Sequence, residues 1–288
     1  HAFRIPCPGP MLATDPILVL GAPRSGTTYL QSILDRHPQV ELTNELRVFS
    51  WLHEATRNLP TEIGAELARP NAFVEQLAEE LPEVVRRHYA ERAPDAQWWG
   101  DKNPHYAADP GVLETVLDCY PEAQFVHIVR DPRAVVASLA RKVHDDGTPW
   151  IPLAEAHVMV VTHMQNAVAL EDRPDVHYQR VRYEDLVQDD AEVAGRVLDE
   201  LGIPRADEVQ SYCEQQRRQR MPVSGPTTDI EHADFSLDGL REASRSAWRD
   251  TVPADRQRES LQMFAPWLLR FGYEDRDSLD AENRAIAD

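Results

Sequence analysis

The chain has 288 residues, of which 42% are hydrophobic and 27% charged, a composition typical of a folded globular protein rather than a disordered one. Its formal net charge of −19 would repel a polyanion over most of the surface, which argues against nucleic acid as a partner. No apolar run reaches the roughly 20 residues that span a bilayer, and no signal segment opens the chain. We therefore expect no membrane partner and a cytoplasmic location.

The sequence divides into an N-terminal extension (1–12), one domain (13–275) and a C-terminal tail (276–288). The extension holds three prolines and shows no periodicity, whereas the length of the domain suits a single hydrophobic core with insertions. The three cysteines have neither a disulfide pattern nor metal-like spacing, so we expect reduced thiols and no metal site. Nothing in the sequence indicates the oligomeric state.

Strands and helices alternate along the domain. Apolar runs predict strands over 16–21, 40–42, 98–102, 124–129 and 176–182. Helical spacing predicts helices over 25–37, 112–120, 132–143, 154–170 and 184–201. This alternation predicts a P-loop-type α/β fold, a mainly parallel sheet with helices on both faces. Segments 56–92 and 205–240 break the pattern, and we interpret both as helical or loop insertions near the substrate mouth.

A phosphate-binding loop is predicted between the first strand and the first helix. Its glycine spacing, from Gly21 to Gly26, is one in which backbone N–H groups and a helix N-terminus converge on an anion. Nucleotide triphosphatases carry a lysine where Thr27 stands, so hydrolysis of adenosine triphosphate lacks its usual cation. The one fixed charge is Arg24, and the further candidate donors are Ser25, Gly26, Thr27 and Thr28.

A second anion site is predicted after the strand 124–129. Arg130 follows this strand, and Ser138 lies about two helical turns further on the same side, so a cation and a hydroxyl can converge on one phosphate. Asp131 offers a rival interpretation, the magnesium-binding aspartate of a nucleotide triphosphatase. Arg133 and Arg141 are assigned to a solvated face.

These motifs resemble those of sulfotransferases that use 3′-phosphoadenosine 5′-phosphosulfate (PAPS). The run Pro23–Thr28 resembles the 5′-phosphosulfate loop, and the stretch through 34–38 to 44–47 is similar to tyrosylprotein sulfotransferases. Small-molecule members usually carry lysine where Arg24 stands. The resemblance implies a PAPS co-substrate, the 3′,5′-bisphosphate PAP as product and no metal. It assigns the 3′-phosphate to Arg130 and Ser138, the adenine to Tyr183, and closure over the nucleotide to Arg245 and Ser246.

Sulfuryl transfer to a hydroxyl needs a base and a cation at the bridging oxygen of the departing phosphate. The resemblance makes Glu45 the base, places Arg47 where it orients the acceptor, and puts Lys102 at the bridging oxygen. His105 competes as the base, because small-molecule members use histidine.

Several functions remain open at this stage. We expect a sulfotransferase acting on a hydroxyl-bearing small molecule, because the chain shows no membrane anchor or disulfide framework. The alternatives are a protein-tyrosine sulfotransferase, a P-loop kinase, which would need magnesium and a loop lysine, and a non-catalytic nucleotide-binding module.

Overall fold

Five parallel strands form one sheet in the order β2-β3-β1-β4-β5 in the computed structural model, which describes residues 12, 14–58, 72–220 and 237–287. The strands are β1 Ile17–Leu20, β2 Val40–Asn44, β3 Trp98–Lys102, β4 Gln124–Val129 and β5 His177–Arg182. The predicted parallel α/β fold is confirmed. Since all strands run the same way, their carboxyl ends meet at one edge, where ligands bind in open sheets of this kind.

Helices cover both faces of this sheet. Within the described ranges they are α1 Thr27–Leu34, α2 Val48–His53, α3 Ala72–Arg92, α4 Pro110–Cys119, α5 Pro132–Ala140, α6 Leu153–Glu171, α7 Tyr183–Gln188, α8 Asp190–Glu200, α9 Asp207–Arg220, α10 Leu237–Thr251, α11 Ala254–Arg270 and α12 Arg276–Ala287. A π-helical turn, Glu54–Asn58, follows α2, and a 3₁₀ turn, Pro104–Ala108, follows β3. No helix in these ranges has both the length and the apolar character needed to cross a lipid bilayer.

The core lies on both faces of the sheet because alternate side chains of each strand point to opposite sides. Leu18 and Leu20 face the cluster under α2, α4 and α6, whereas Ile17 and Val19 face the cluster under α1 and α8. A third cluster joins α5, α6, α10 and α11 around the fully buried Trp248. The central strands are thus held rigidly from both sides.

Two segments differ from the sequence expectation. The helix predicted over 184–201 is two helices, because Asp189 adopts φ −144° and ψ 80° and caps α8 at the backbone N–H of Glu192. The predicted tail contains α12, whose Leu279 and Glu282 are buried, so it belongs to the folded domain. The predicted insertions contribute α3 and α9, whereas 59–71 and 221–236, like residues 1–11 of the predicted extension, lie outside the described residues.

A buried ion cluster joins α5 to the C-terminal region. The Arg133 guanidinium is fully buried and donates to Asp131 (2.8 and 3.0 Å), Glu274 (2.6 Å) and Glu282 (2.9 Å). The assignment of Arg133 to a solvated face is therefore wrong. Two of its three carboxylate partners lie 141 and 149 residues away along the chain, beyond the reach of local pattern analysis.

We expect Arg133→Met to lower the free energy of unfolding by about 3–5 kcal/mol, because it removes the buried cation that three carboxylates share, of which Glu274 and Glu282 keep a second arginine, Arg245 and Arg249. Arg173→Met is the matched control, since Arg173 pairs with Glu114 at the surface, and it should cost less than about 1 kcal/mol. Chemical denaturation of both variants measures the difference. Equal stability of Arg133→Met and the unmodified protein would contradict the assignment.

Candidate functional site

The loop between β1 and α1 is shaped by two glycines at its ends. Gly26 has φ 99°, and a Cβ there would lie 2.4 Å from the ring of Tyr183, so the loop needs glycine both for its conformation and for the close approach of the tyrosine. A Cβ on Gly21 would lie 2.6 Å from the carbonyl oxygen of Ile128. These contacts press the loop against the carboxyl end of β4.

The start of α1 provides the backbone donors of this loop. Gly26 caps the helix without any side-chain hydrogen bond, and its first turn has no acidic residue, so the exposed N–H groups favour an anion. Thr28 is exposed at this end, whereas Thr27 is buried. The Ser25 hydroxyl donates to the carbonyl of Ala22 at 2.6 Å, so it holds the turn rather than facing outward.

Arg24, Arg130 and Ser138 are brought together, as the two predicted anion sites require. Arg24 Nε donates to Ser138 Oγ at 3.1 Å, which leaves the hydroxyl proton of Ser138 available for a further acceptor. Arg130 Nη1 donates to the carbonyl of Arg24 at 3.0 Å, and its guanidinium stacks 4.3 Å above the ring of Tyr183. The phosphate loop and the β4 site therefore form one continuous basic surface.

A cavity of about 520 Å³ opens over this surface. Four cations line it, namely Arg24, Arg130, Arg141 and Lys142. Arg141, assigned from sequence to a solvated face, thus belongs to the cavity wall. Sequence reasoning missed Lys142 as well, although helical spacing was a usable signal: both residues come three and four positions after Ser138, on the next turn.

Helix α10 closes the cavity on the side away from the sheet. Its lining residues are Leu240, Ala243, Ser244 and Ala247. Arg245, predicted to close over the nucleotide, instead donates to Glu274 (Nε to Oε1 2.8 Å), and Ser246 is exposed outside the lining. Ser244 occupies the wall that the sequence assigned to its neighbours, with its hydroxyl bonded to the carbonyl of Leu240.

Glu45 and Lys102 meet at the ends of β2 and β3. The two strands pair in register to Asn44 and Lys102, and Glu45 N donates to the carbonyl of Lys102 at 2.8 Å. Lys102 Nζ, fully buried, donates to Glu45 Oε1 at 2.7 Å, whereas the side chain of Glu45 is half exposed. Because β3 adjoins β1, this ion pair lies at the same sheet edge as the phosphate loop.

A family model described as the sulfotransferase family matches residues 16–208, two thirds of the sequence. The chain belongs to the sulfotransferase family. This result agrees with the resemblance in the loop, at Glu45 and at Arg130. The structure bears on the rival interpretation of Asp131. Both oxygens of its carboxylate accept hydrogen bonds from Arg133, so a role as a magnesium ligand, as in a kinase, gains no support.

Relatives within this family extend over nearly the whole sequence. A protein-tyrosine sulfotransferase of Drosophila melanogaster is 28% identical over 90% of this chain, and this chain covers only 51% of that protein. A putative protein-tyrosine sulfotransferase of Caenorhabditis briggsae is 25% identical, over 91% of this chain and 90% of its own length. Protein-tyrosine sulfotransferase 1 of Danio rerio is 27% identical, over 90% and 72%.

Solved sulfotransferase structures share the fold. The sulfotransferase domain of the Synechococcus PCC 7002 olefin synthase superposes with a TM-score of 0.55 at 23% identity, covering 90% of this chain and 96% of that one. Sulfotransferase STF9 from Mycobacterium avium gives 0.54 at 16% identity, over 92% and 78%. At these identities the likeness establishes the P-loop-type sulfotransferase fold alone.

The site of this sulfotransferase holds unusual backbone conformations. Arg24 (φ 74°), Glu45 (φ 59°) and Arg47 (φ 62°) are the non-glycine residues with positive φ in the described ranges. Side chains other than glycine rarely adopt this conformation, and it costs of order 1–3 kcal/mol at each position. All three are residues that the sequence assigned to the site, so the strain is concentrated there.

Histidines lie next to this edge of the sheet. His105 is exposed on the 3₁₀ turn, and its ring centroid is 6.2 Å from that of the buried His163 on α6. Burial lowers the pKa of His163 to about 4, although its hydrogen bond to the Met159 carbonyl opposes that effect. Burial likewise lowers the pKa of His127 to about 3. His163 and His127 are therefore neutral at physiological pH.

We expect the free energy of unfolding to fall as the pH drops from about 6.5 towards 4. The pKa values of His163 and His127 are depressed in the folded state, so the unfolded chain takes up their protons first and is favoured as the pH falls. His163→Leu should flatten this dependence. Denaturant titrations at several pH values measure it, and an unchanged slope in the variant would contradict the neutral buried imidazole.

Proposed function

We propose that this chain transfers the sulfuryl group of PAPS to an acceptor hydroxyl. The observation that carries the proposal is the meeting of Arg24, Arg130 and Ser138 at one cavity at the ends of β1 and β4. A nucleotide with anionic groups at both its 5′ and 3′ positions needs two such sites within one molecule's length. The family to which the chain belongs supports the same donor.

The cavity suits this donor in charge and in size. The 5′-phosphosulfate would lie on the loop and on the free N–H groups of α1, where Arg24 can hold two of its oxygens. The 3′-phosphate would lie between Arg130 and Ser138, and the adenine beside Tyr183. A volume of about 520 Å³ is within the range of small-molecule sites.

Glu45 and Lys102 supply the chemistry in this proposal. Glu45 accepts a hydrogen bond from Lys102 on Oε1, and its side chain is half exposed. Its carboxylate can therefore take the proton of an acceptor hydroxyl. The acceptor oxygen forms a bond to sulfur while the bond from sulfur to the bridging oxygen breaks. Lys102 Nζ, fully buried and hence weakly screened, stabilises the charge that builds on that oxygen.

A phenolic hydroxyl is the acceptor that best fits a carboxylate base. The hydroxyl of tyrosine has a pKa of about 10, far below that of an aliphatic alcohol, so a weak base removes its proton more easily. The relatives named protein-tyrosine sulfotransferases, at 25–28% identity, support a tyrosine in a peptide or protein. This acceptor replaces the small molecule that the sequence favoured as our first candidate.

An acceptor panel tests the proposal directly. The chain is incubated with PAPS and, in turn, a tyrosine-containing peptide, 4-nitrophenol and an aliphatic alcohol, and PAP formation is measured. We expect turnover with the phenols and the highest rate with the peptide. Activity with adenosine triphosphate and magnesium instead would support the kinase alternative. Binding of PAP without transfer to any acceptor would indicate a nucleotide-binding module.

Glu45→Gln should reduce kcat by at least about 100-fold, since general bases contribute roughly 10²–10⁴-fold. Binding of PAP, measured by calorimetry, should stay within about twofold, because the proposed PAP contacts lie on other residues. Glu41→Gln, on the strand that precedes Glu45, is the control; Glu41 pairs with Arg92, and the change should leave turnover intact. Full turnover in Glu45→Gln would remove Glu45 from this role and favour His105.

Arg130→Ala should raise the dissociation constant of PAP by about 10- to 100-fold, because it removes a charge-assisted hydrogen bond worth roughly 1.5–3 kcal/mol. Arg36→Ala is a matched control: Arg36 stacks on Tyr212 at 4.4 Å, much as Arg130 stacks on Tyr183, but it does not line the cavity. The dissociation constant of PAP for Arg36→Ala should match that for the unmodified protein. If both variants bind PAP equally well, the second anion site is not where we place it.

A further inference from the structure

The turn that carries Glu45 is anchored from beneath by a buried carboxylate. Asp101, the residue before Lys102, is fully buried. Its Oδ1 accepts from the backbone N–H of Leu46 at 3.3 Å and from Thr43 Oγ1 at 2.7 Å. One side chain of β3 thus bonds residues on both sides of Glu45.

Tyr106 extends this anchor to the start of α2. Its hydroxyl donates to Asp101 Oδ2 and accepts from the backbone N–H of Phe49 at 3.4 Å. Helix α2 begins after Arg47, whose side chain makes no capping bond. One of the N–H groups that the start of α2 leaves without an internal partner, that of Phe49, is therefore satisfied by Tyr106, from another part of the chain.

The conformation that these bonds hold is one that the turn would not adopt by itself. Glu45 and Arg47 both have positive φ, a strained state for residues with side chains. Such strain persists only where the surrounding structure fixes it. Here the fixing contacts are the bonds of Asp101, together with the bond from Glu45 N to the carbonyl of Lys102.

We propose that Asp101 is a positioning residue, which holds the strained turn from Glu45 to Arg47 so that the Glu45 carboxylate lies at the reaction centre beside Lys102. The inference rests on the proposed function, in which Glu45 is the base. It assigns a role to a residue that contacts neither PAPS nor the acceptor hydroxyl in the proposed reaction.

A carboxylate suits this position better than any other side chain. Asp101 accepts from three donors, two hydroxyls and one backbone N–H group, with bonds on both of its oxygens, and a carboxylate provides two acceptor oxygens at this position. An asparagine of the same shape has a single acceptor oxygen and turns two donors towards its neighbours. Burial raises the pKa of Asp101, but the hydrogen bonds from Tyr106 and Thr43 oppose that effect.

Asp101→Asn tests the inference with the peptide acceptor or, if the panel shows it to be better, 4-nitrophenol. We expect kcat to fall by about 10- to 100-fold, because small displacements of a reacting group cost this much. The dissociation constant of PAP should stay within about twofold. Hydrogen exchange at the amide of Leu46 should accelerate. An unchanged kcat, or a loss of PAP binding equal to the loss of kcat, would overturn the inference.

Tyr106→Phe provides a milder change should Asp101→Asn fail to fold. It removes one bond to Asp101 and should lower kcat several-fold with PAP binding intact. Tyr178→Phe is its matched control, because it also removes a tyrosine hydroxyl with a hydrogen-bond partner, His127 Nδ1 on β4 at 2.7 Å. This variant should keep full kcat. Equal kcat in the two variants would count against the anchor.

Glu45→Gln separates this inference from the proposed function. If Glu45→Gln turns over normally, Glu45 is not the base, whatever the kcat of Asp101→Asn. If Glu45→Gln is inactive while Asp101→Asn retains full kcat, only the positioning role is wrong. Should both variants be impaired, the double variant ought to be no slower than Glu45→Gln alone, since the two residues act as one unit.

Discussion

The electrostatic constraint on this molecule is that a chain of net charge −19 has to assemble a strongly cationic site. It does so by placing cations at the carboxyl ends of neighbouring parallel strands, which meet at one edge of the sheet. Arg24 follows β1, Lys102 ends β3 and Arg130 follows β4, so residues more than 100 positions apart share one edge. Both the anion cavity and the Glu45–Lys102 pair depend on this topology.

Buried charges behind the site keep the cations in position. Asp131, next to Arg130, caps α5 and pairs with Arg133, whose other partners come from the last 15 residues. On the other side, Glu184 accepts from the Asp131 backbone N–H at 3.2 Å and from the Tyr273 hydroxyl at 2.7 Å. The C-terminal region therefore contributes to the anion site without lining it.

Local sequence patterns predicted the strands well because a buried parallel strand is a short apolar run. β3 and β4 have the predicted ends, and the motifs at Gly21, Lys102 and Arg130 lie where the strand ends put them. Long-range pairing was not predictable: nothing near Arg133 in the sequence reveals Glu274 or Glu282.

On α10 the residues that line the cavity differ from those of the predicted motif. Adjacent residues on a helix point about 100° apart, and Ser244 lines the cavity whereas Arg245 and Ser246, one and two positions later, do not. Closure of Arg245 and Ser246 over the nucleotide remains a prediction. The role of Asp101 could not be predicted from the sequence, because it depends on the hydrogen bond between Asp101 on β3 and Leu46 in the turn that follows β2. The cytoplasmic location remains a prediction.

The scarcity of lysine gives the cavity a chemical signature. The whole chain has two lysine side chains, and both lie at the site: Lys102 is fully buried against Glu45, whereas Lys142 is exposed at the cavity wall, 4.0 Å above the ring of Trp150. An amine-selective acylating reagent therefore meets one accessible ε-amino group in this sequence, that of Lys142. A fluorophore attached there would report on occupancy of the nucleotide cavity without any engineered residue.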